Sequence, residues 1–225
     1  MPEASAVRRM FEGVAPNYDL LNRVLSLGVD RSWRRAVVAG LTLDGESPIL
    51  DLCCGTGDLA IELAQHADVV ACDFTWNMLT RAKAKCLESG APVELAAADT
   101  LSLPFADGVF AAATVAFGIR NLSDIDRGLE EIRRVLRPGG TLSVLEFSHP
   151  RGWLRHPYGL YLNVVLPRMG ALLSRRGEAY RYLAESITGF PEPETLVEIL
   201  VTAGFREPRF ERLSGGIVAI HRAKK

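Results

Sequence analysis

The segment Asp51-Leu52-Cys53-Cys54-Gly55-Thr56-Gly57-Asp58 joins an apolar run to a helical pattern. Gly55 and Gly57 lack a Cβ, so the backbone there can turn sharply and a ligand can approach closely. Asp73 stands 22 residues after Asp51, at the end of the next apolar run. A carboxylate so placed can accept the hydrogens of both ribose hydroxyls. Asp99-Thr100 closes a third run, before Leu101-Ser102-Leu103-Pro104-Phe105, and offers a carboxylate and a small polar group to an exocyclic amine. In an open parallel sheet, ligands bind beyond the carboxyl ends of the strands, where all three features fall.

A dinucleotide site would share the glycines and the ribose acid. It would also want G-x-G-x-x-G and a helix N-terminus free to take pyrophosphate. Here Asp58 opens the helix; its carboxylate repels a diphosphate and suits a cation. S-adenosylmethionine carries a sulfonium and an ammonium and no phosphate, so it is the expected ligand.

These loops need a sheet to hold them. Residues 48–147 alternate short apolar runs with helical patterns, as βαβ units do. Strands are expected at 49–53, 69–72, 93–95, 109–115 and 141–147, and helices at 59–67, 78–87 and 125–136, the last stopped by Pro138-Gly139-Gly140. Residues 148–192 carry prolines, aromatics and arginines and read as an insertion. A helix over 195–203, capped by Gly204, precedes strands 207–213 and 216–222. Ser214-Gly215 joins these as a hairpin, so they should be antiparallel. Residues 1–40 read as a helical cap over the strand ends. The expectation is one α/β domain over 1–225: cap 1–40, cofactor-binding core 48–147, lid insertion 148–192, and C-terminal helix and strands 193–225.

Composition narrows the function classes. Apolar residues make up 48% and the formal net charge is −1, which argues against a nucleic-acid partner. Cys53, Cys54, Cys72 and Cys86 include no C-x-x-C pair, so neither a zinc site nor a redox motif is expected, and buried thiols fit a reducing cytoplasm. Met1-Pro2-Glu3-Ala4 lacks the pattern of a signal peptide, and there is no apolar run of 18 residues to span a membrane.

Asp51-x-x-x-Gly55-Thr56-Gly57 resembles motif I of class I methyltransferases, which have a Rossmann-like fold. Further segments resemble the ubiquinone/menaquinone biosynthesis C-methyltransferases: Phe11-Glu12-x-x-Ala15-Pro16-x-Tyr18-Asp19-x-x-Asn22, Phe117-Gly118-Ile119-Arg120-Asn121, Arg134 to Ser148, Tyr180 to Ile187 with Phe190-Pro191, and Gly215 to His221. The resemblance covers about residues 8 to 222. It implies a seven-stranded, mostly parallel sheet with an antiparallel C-terminal hairpin, and cofactor contacts at Thr56, Asp73, Asp99 and Thr100, with Asp51, Gly55, Gly57 and Ala116 in the same site. Ala116 replaces the Ser or Asn often found before that Phe-Gly, so a hydrogen bond offered there in the family is absent.

The implied reaction is carbon methylation of a prenylated quinol, with S-adenosylmethionine as co-substrate and no metal. An unperturbed phenol has a pKa of about 10, so something must ease its ionisation. Arg120 is the first choice for stabilising a phenolate; Asn121 would orient the ring hydroxyl, Tyr18 would stack on or hydrogen-bond the ring, and His149 would act as general base. The alternatives are a salt bridge from Arg120 to Asp124, packing of Tyr18 in the cap, and a surface His149. Residues 151–181 hold six arginines and one acid, Glu178, interleaved with Trp153, Leu154, Tyr158, Leu160, Tyr161, Leu162, Val164, Val165 and Leu166. This suggests a lid that accepts a prenyl tail and touches an anionic membrane; the alternative is a solvated helical lid. The sequence leaves open a homodimer, a methyltransferase for another small phenol, and a non-catalytic S-adenosylmethionine-binding protein.

Overall fold

The computed structural model describes residues 9–13, 18–26, 28–42, 47–165, 168 and 177–225. Ala15, Pro16 and Leu166, as well as Arg175 and Arg176 of the basic insertion, lie outside them. In chain order the elements are α1 (Tyr18–Leu25), α2 (Asp30–Ala39), β1 (Ile49–Leu52), α3 (Asp58–Leu63), β2 (Val69–Asp73), α4 (Trp76–Ser89), β3 (Val93–Ala97), β4 (Phe110–Ala116), α5 (Ile125–Val135), β5 (Leu136–Phe147), α6 (Arg155–Leu160), α7 (Gly177–Thr188), α8 (Pro193–Thr202), β6 (Arg206–Leu213) and β7 (Val218–Lys224).

The seven strands form one sheet in the order β3-β2-β1-β4-β5-β7-β6. Pairings from β3 to β5 are parallel, and β7 runs antiparallel to both β5 and β6. All four β1 residues are buried, as expected of a strand covered on both faces. One face packs Leu129, Ile132 and Val135 of α5 with Leu196 and Leu200 of α8 against Leu50 and Leu52. The other packs Trp33 and Val37 of α2 with Leu59 and Leu63 of α3 against Ile49, Val69 and Ile220. Thus α2 belongs to the second core layer rather than lying only over the strand ends, and Trp33 Nε1 donates to Ser214 Oγ in the β6–β7 connection at 2.8 Å.

Two local findings differ from the sequence reading. α5 ends at Val135, before Pro138-Gly139-Gly140 is reached, and β5 already begins at Leu136, opposite Phe110. The register then jumps to Thr141 opposite Ala112, and Gly139 at φ 77° makes the bulge. The last hairpin also has a longer connection than two residues, with a 3₁₀ turn at Ser214–Gly216. At the end of α8, Gly204 adopts φ 83° while Phe205 N–H reaches Leu200 O at 3.0 Å, the Schellman closure that its position after the helix suggests.

Candidate active site

The crossing from β1 to α3 is built on three alternate residues with left-handed backbone. Cys53, Gly55 and Gly57 have φ of 52°, 55° and 84°. Asp73, at the end of the adjacent β2, fixes this loop: its Oδ2 accepts Gly55 N–H at 3.0 Å and its Oδ1 accepts Thr75 N–H at 2.8 Å. Each oxygen keeps a further lone pair for a hydroxyl donor. Burial pushes the Asp73 carboxyl above its usual range, opposed by the N–H groups of Thr75 and Gly55.

Asp51 lies beneath the loop, 1% exposed. Thr114 Oγ1 on β4 donates to its Oδ1 at 2.7 Å, while Oδ2 has no partner among the described residues. Burial pushes its pKa up to about 7. An orphaned buried carboxylate oxygen, two glycine cradles and a ribose-competent acid fit the ammonium and ribose of S-adenosylmethionine. Asp99 is exposed and its Oδ1 accepts Leu101 N–H at 2.9 Å; Thr100 is buried against Cys53 Sγ at 3.6 Å. Ala116 ends β4, partly buried. The thiols are not reactive groups: burial pushes Cys53 up to about 12 and raises Cys54 and Cys72 as well.

One charge expectation is corrected here, and one alternative is set aside. Asp58 does not offer a free carboxylate to a cation, because Lys85 of α4 and Arg34 of α2 both meet it. Lys85 Nζ also reaches Asp19 Oδ2 at 2.9 Å and Thr56 Oγ1 at 3.2 Å, and Thr56 Oγ1 donates to Asp19 Oδ1 at 2.5 Å. Thr56 and Asp58 therefore tie α1 to the glycine loop. Arg120, for its part, does not pair with Asp124, whose carboxylate caps α5 through Arg127 N–H. Its Nη1 lies 2.6 Å from Glu146 Oε1 on β5.

The Phe117–Asn121 motif has a concrete geometry. Phe117 turns at φ 58°, and its carbonyl accepts both Arg120 Nη1 at 2.6 Å and Asn121 Nδ2 at 3.3 Å. Its ring packs on Phe147, 4.6 Å between centroids, and the Arg120 guanidinium stands over that Phe147 ring at 5.3 Å. Tyr182 of α7 donates to Asn121 Oδ1 at 3.0 Å, and Arg120 Nε reaches Ser186 Oγ at 3.4 Å. Arg120 Nη2 makes no hydrogen bond among the described residues. Tyr18 Cε1 lies 3.7 Å from the position a Cβ on Gly55 would take, so Tyr18 stands against the glycine loop, within the field of Arg120. His149 turns elsewhere, its Nδ1 3.5 Å from Glu192 Oε1.

The sequence reading missed Glu146, Tyr182, Lys85 and Asp19 as site residues. Glu146 carried a readable signal: an acid inside the apolar run Leu142 to Phe147 is rarely buried without a partner. Asp19 and Tyr182 lay within the segments that resemble the family, but their partners did not show, since each reaches across dozens of residues, as does Lys85.

The fold is shared with solved structures of diverse activity. The cyclase SpnF matches with a TM-score of 0.73 at 20% identity, covering 100% of this chain and 97% of that one. A Thermotoga maritima S-adenosylmethionine-dependent methyltransferase matches at 0.69 and 21%, covering 97% and 99%. At such identities the likeness concerns the fold alone. Sequence relatives are far nearer. The demethylmenaquinone methyltransferase of Thermus thermophilus is 48% identical, covering 94% of this chain and 98% of that one. That of Deinococcus radiodurans is 46% identical, covering 97% and 92%. The ubiquinone/menaquinone biosynthesis C-methyltransferase UbiE of Syntrophotalea carbinolica is 45% identical, covering 95% and 92%. A profile of the ubiE/COQ5 methyltransferase family matches residues 2–225, and the chain belongs to that family.

Proposed function

We propose that this protein methylates a ring carbon of a prenylated quinol, with demethylmenaquinol as acceptor. The observation that carries the reading is Arg120: a buried guanidinium whose Nη2 has no hydrogen-bond partner among the described residues and whose field reaches Tyr18 and Tyr182, in a chain 46–48% identical to two demethylmenaquinone methyltransferases. S-adenosylmethionine, when bound, supplies an electrophilic methyl on a sulfonium. Asp73 holds the ribose, Asp51 Oδ2 takes the ammonium, and Asp99-Thr100 meets the adenine amine.

The acceptor must be the reduced ring, since a quinone is too electron-poor to attack. Arg120 Nη2 stabilises the phenolate formed when the hydroxyl loses its proton. The proposed recipient of that proton is a water held beside Arg120, since the His149 ring faces Glu192 instead. The ring carbon beside the phenolate takes the methyl, the carbon–sulfur bond breaks toward sulfur, and loss of the ring hydrogen as a proton restores aromaticity. Asn121, held by Tyr182, orients the hydroxyl. Charge disperses as the sulfonium is consumed, so covering the site with α1 favours the step.

Arg120→Ala should retain S-adenosylmethionine affinity and lose roughly 10²–10³-fold in kcat with demethylmenaquinol. Near-normal turnover would remove Arg120 from the mechanism, and methylation of catechol-like phenols in preference to demethylmenaquinol would replace the acceptor. The insertion gives the tail its proposed exit: Trp153 and Leu160 are 80% and 61% exposed beside exposed Arg155, an aromatic and basic surface suited to an anionic bilayer. Sedimentation with anionic vesicles that leaves the protein in the supernatant would overturn that contact.

A further inference from the structure

Glu146 presents a physical puzzle. Its residue is 1% exposed, and it sits directly beside the cation that the proposed function needs. A lone Arg120 would stabilise a phenolate better than one already paired. Glu146 Oε1 also accepts Phe147 N–H at 2.8 Å, and Arg120 N–H approaches Oε2 at 3.5 Å. The pair is thus held by backbone as well as by charge, and it presents the acceptor with a dipole of no net charge.

Two buried tyrosines stand in the field of this pair, and a third in the field of Arg120. Tyr158 of α6 and Tyr182 of α7 both feel Arg120, which favours ionisation, and Glu146, which opposes it. Tyr161 further disfavours ionisation of Tyr158. Tyr18 of α1 feels Arg120 and Arg34 against Asp73. In all three, burial outweighs the cations and pushes the phenol above its ordinary range. A buried phenol beside this pair therefore keeps its proton unless another cation arrives.

We infer that Glu146 is a positioning residue that fixes Arg120 and cancels its charge, so that the acceptor's hydroxyl ionises only when the cationic methyl donor stands beside it. The inference rests on the proposed quinol acceptor. Beside the pair alone, a phenolate would carry a negative charge that nothing local balances; the sulfonium, when present, balances it. Since a quinol anion yields electrons to dioxygen more readily than the neutral quinol, the arrangement keeps the acceptor reduced until the donor is in place.

The test uses two donor analogues that transfer no methyl: S-adenosylhomocysteine, a neutral thioether, and sinefungin, which carries an amine cation in place of the sulfonium. 1-Naphthol is bound to each complex and its ionisation followed by ultraviolet difference spectroscopy across pH. In the parent protein the ionisation constant should be at least about tenfold greater with sinefungin. In Glu146→Gln it should be raised in both complexes, with the difference between them reduced, and the acid limb of the kcat–pH profile should move to lower pH. Glu146→Asp should restore the parent behaviour. Equal naphthol ionisation in the two parent complexes would overturn the inference, even if Glu146→Gln fails to fold. So would a folded Glu146→Gln that ionises naphthol like the parent. Naphthol that binds neither complex would overturn the acceptor site itself, and this inference with it.

Discussion

Adding one methyl group at Gly118 should disable the turn that carries Arg120. The backbone at Gly118 is ordinary for alanine, φ −111°, so only space decides the outcome. A Cβ there would lie 2.4 Å from Cys53 Cβ and 2.9 Å from its Sγ, distances that no packing tolerates. Overpacking of this kind costs about 1–3 kcal/mol, and in a chain of this size each kcal/mol lowers Tm by about 2–4 °C. Gly118→Ala should therefore melt about 4–8 °C below the parent for a cost of about 2 kcal/mol, with kcat falling further because Arg120 and Asn121 follow directly. The second half of the cycle is Cys53→Gly, which removes both clashing atoms. It also relieves a non-glycine residue at φ 52°, at a cost of its contact with Thr100. The double variant should regain most of the lost Tm, measured by thermal scanning, and much of the lost turnover. A Gly118→Ala protein melting within a degree of the parent would show that the contact with Cys53 yields freely, as would a double variant no better than the single one.

Four other outcomes follow from the same geometry. Asp73→Ala removes two backbone ties and the ribose acceptor, and calorimetry should show S-adenosylmethionine bound at least about tenfold more weakly, since one charged hydrogen bond is worth about 1.5–3 kcal/mol; unchanged affinity would sink the ribose assignment. Asp51, pushed up to about 7 by burial, should shed part of a proton near pH 7 when the donor's ammonium meets Oδ2, seen as a binding enthalpy that varies with buffer ionisation heat; no proton release at that pH would refute it. His221 donates from Nε2 to Pro193 O at 3.0 Å, and its buried ring is held neutral with a pKa lowered to about 4. Its contribution is complete above its unfolded value of about 6.5 and is lost as pH falls toward 4, worth about 3 kcal/mol; urea titrations of the parent and His221→Gln with identical losses across that window would exclude it. Lys85→Met should weaken the hold of α1 on the glycine loop, costing about 1 kcal/mol at low salt and less at high salt, and a denaturation midpoint indifferent to the substitution at every ionic strength would discount the tie.

The sheet was legible because its strands are apolar runs of the right length between turn residues, and the glycine loop because its glycines perform a local backbone task. What escaped was non-local. Asp58 looks like a free anion in sequence, and only the meeting of α2 and α4 shows Arg34 and Lys85 answering it. Asp124 is the acid nearest Arg120 in the chain, but α5 uses it as a cap, and the true partner arrives from β5. Pro138-Gly139-Gly140 reads as the end of one element and proves to be a bulge within the next, because Leu136 finds Phe110 before the chain turns.

The place of β7 between β5 and β6 has a consequence for how the sheet closes. Among the described residues β6 pairs with β7 alone, so it can join the sheet only through the strand that follows it. Until β7 docks, both edges of β6 and the outer edge of β5 are unpaired, the state in which strands seek partners in other chains. The α8 helix contacts β6 and can cover one face, but not its edges. Refolding at rising protein concentration should therefore lose more material to aggregation in a variant weakened in the β5–β7 pairing than in one equally destabilised in the parallel half.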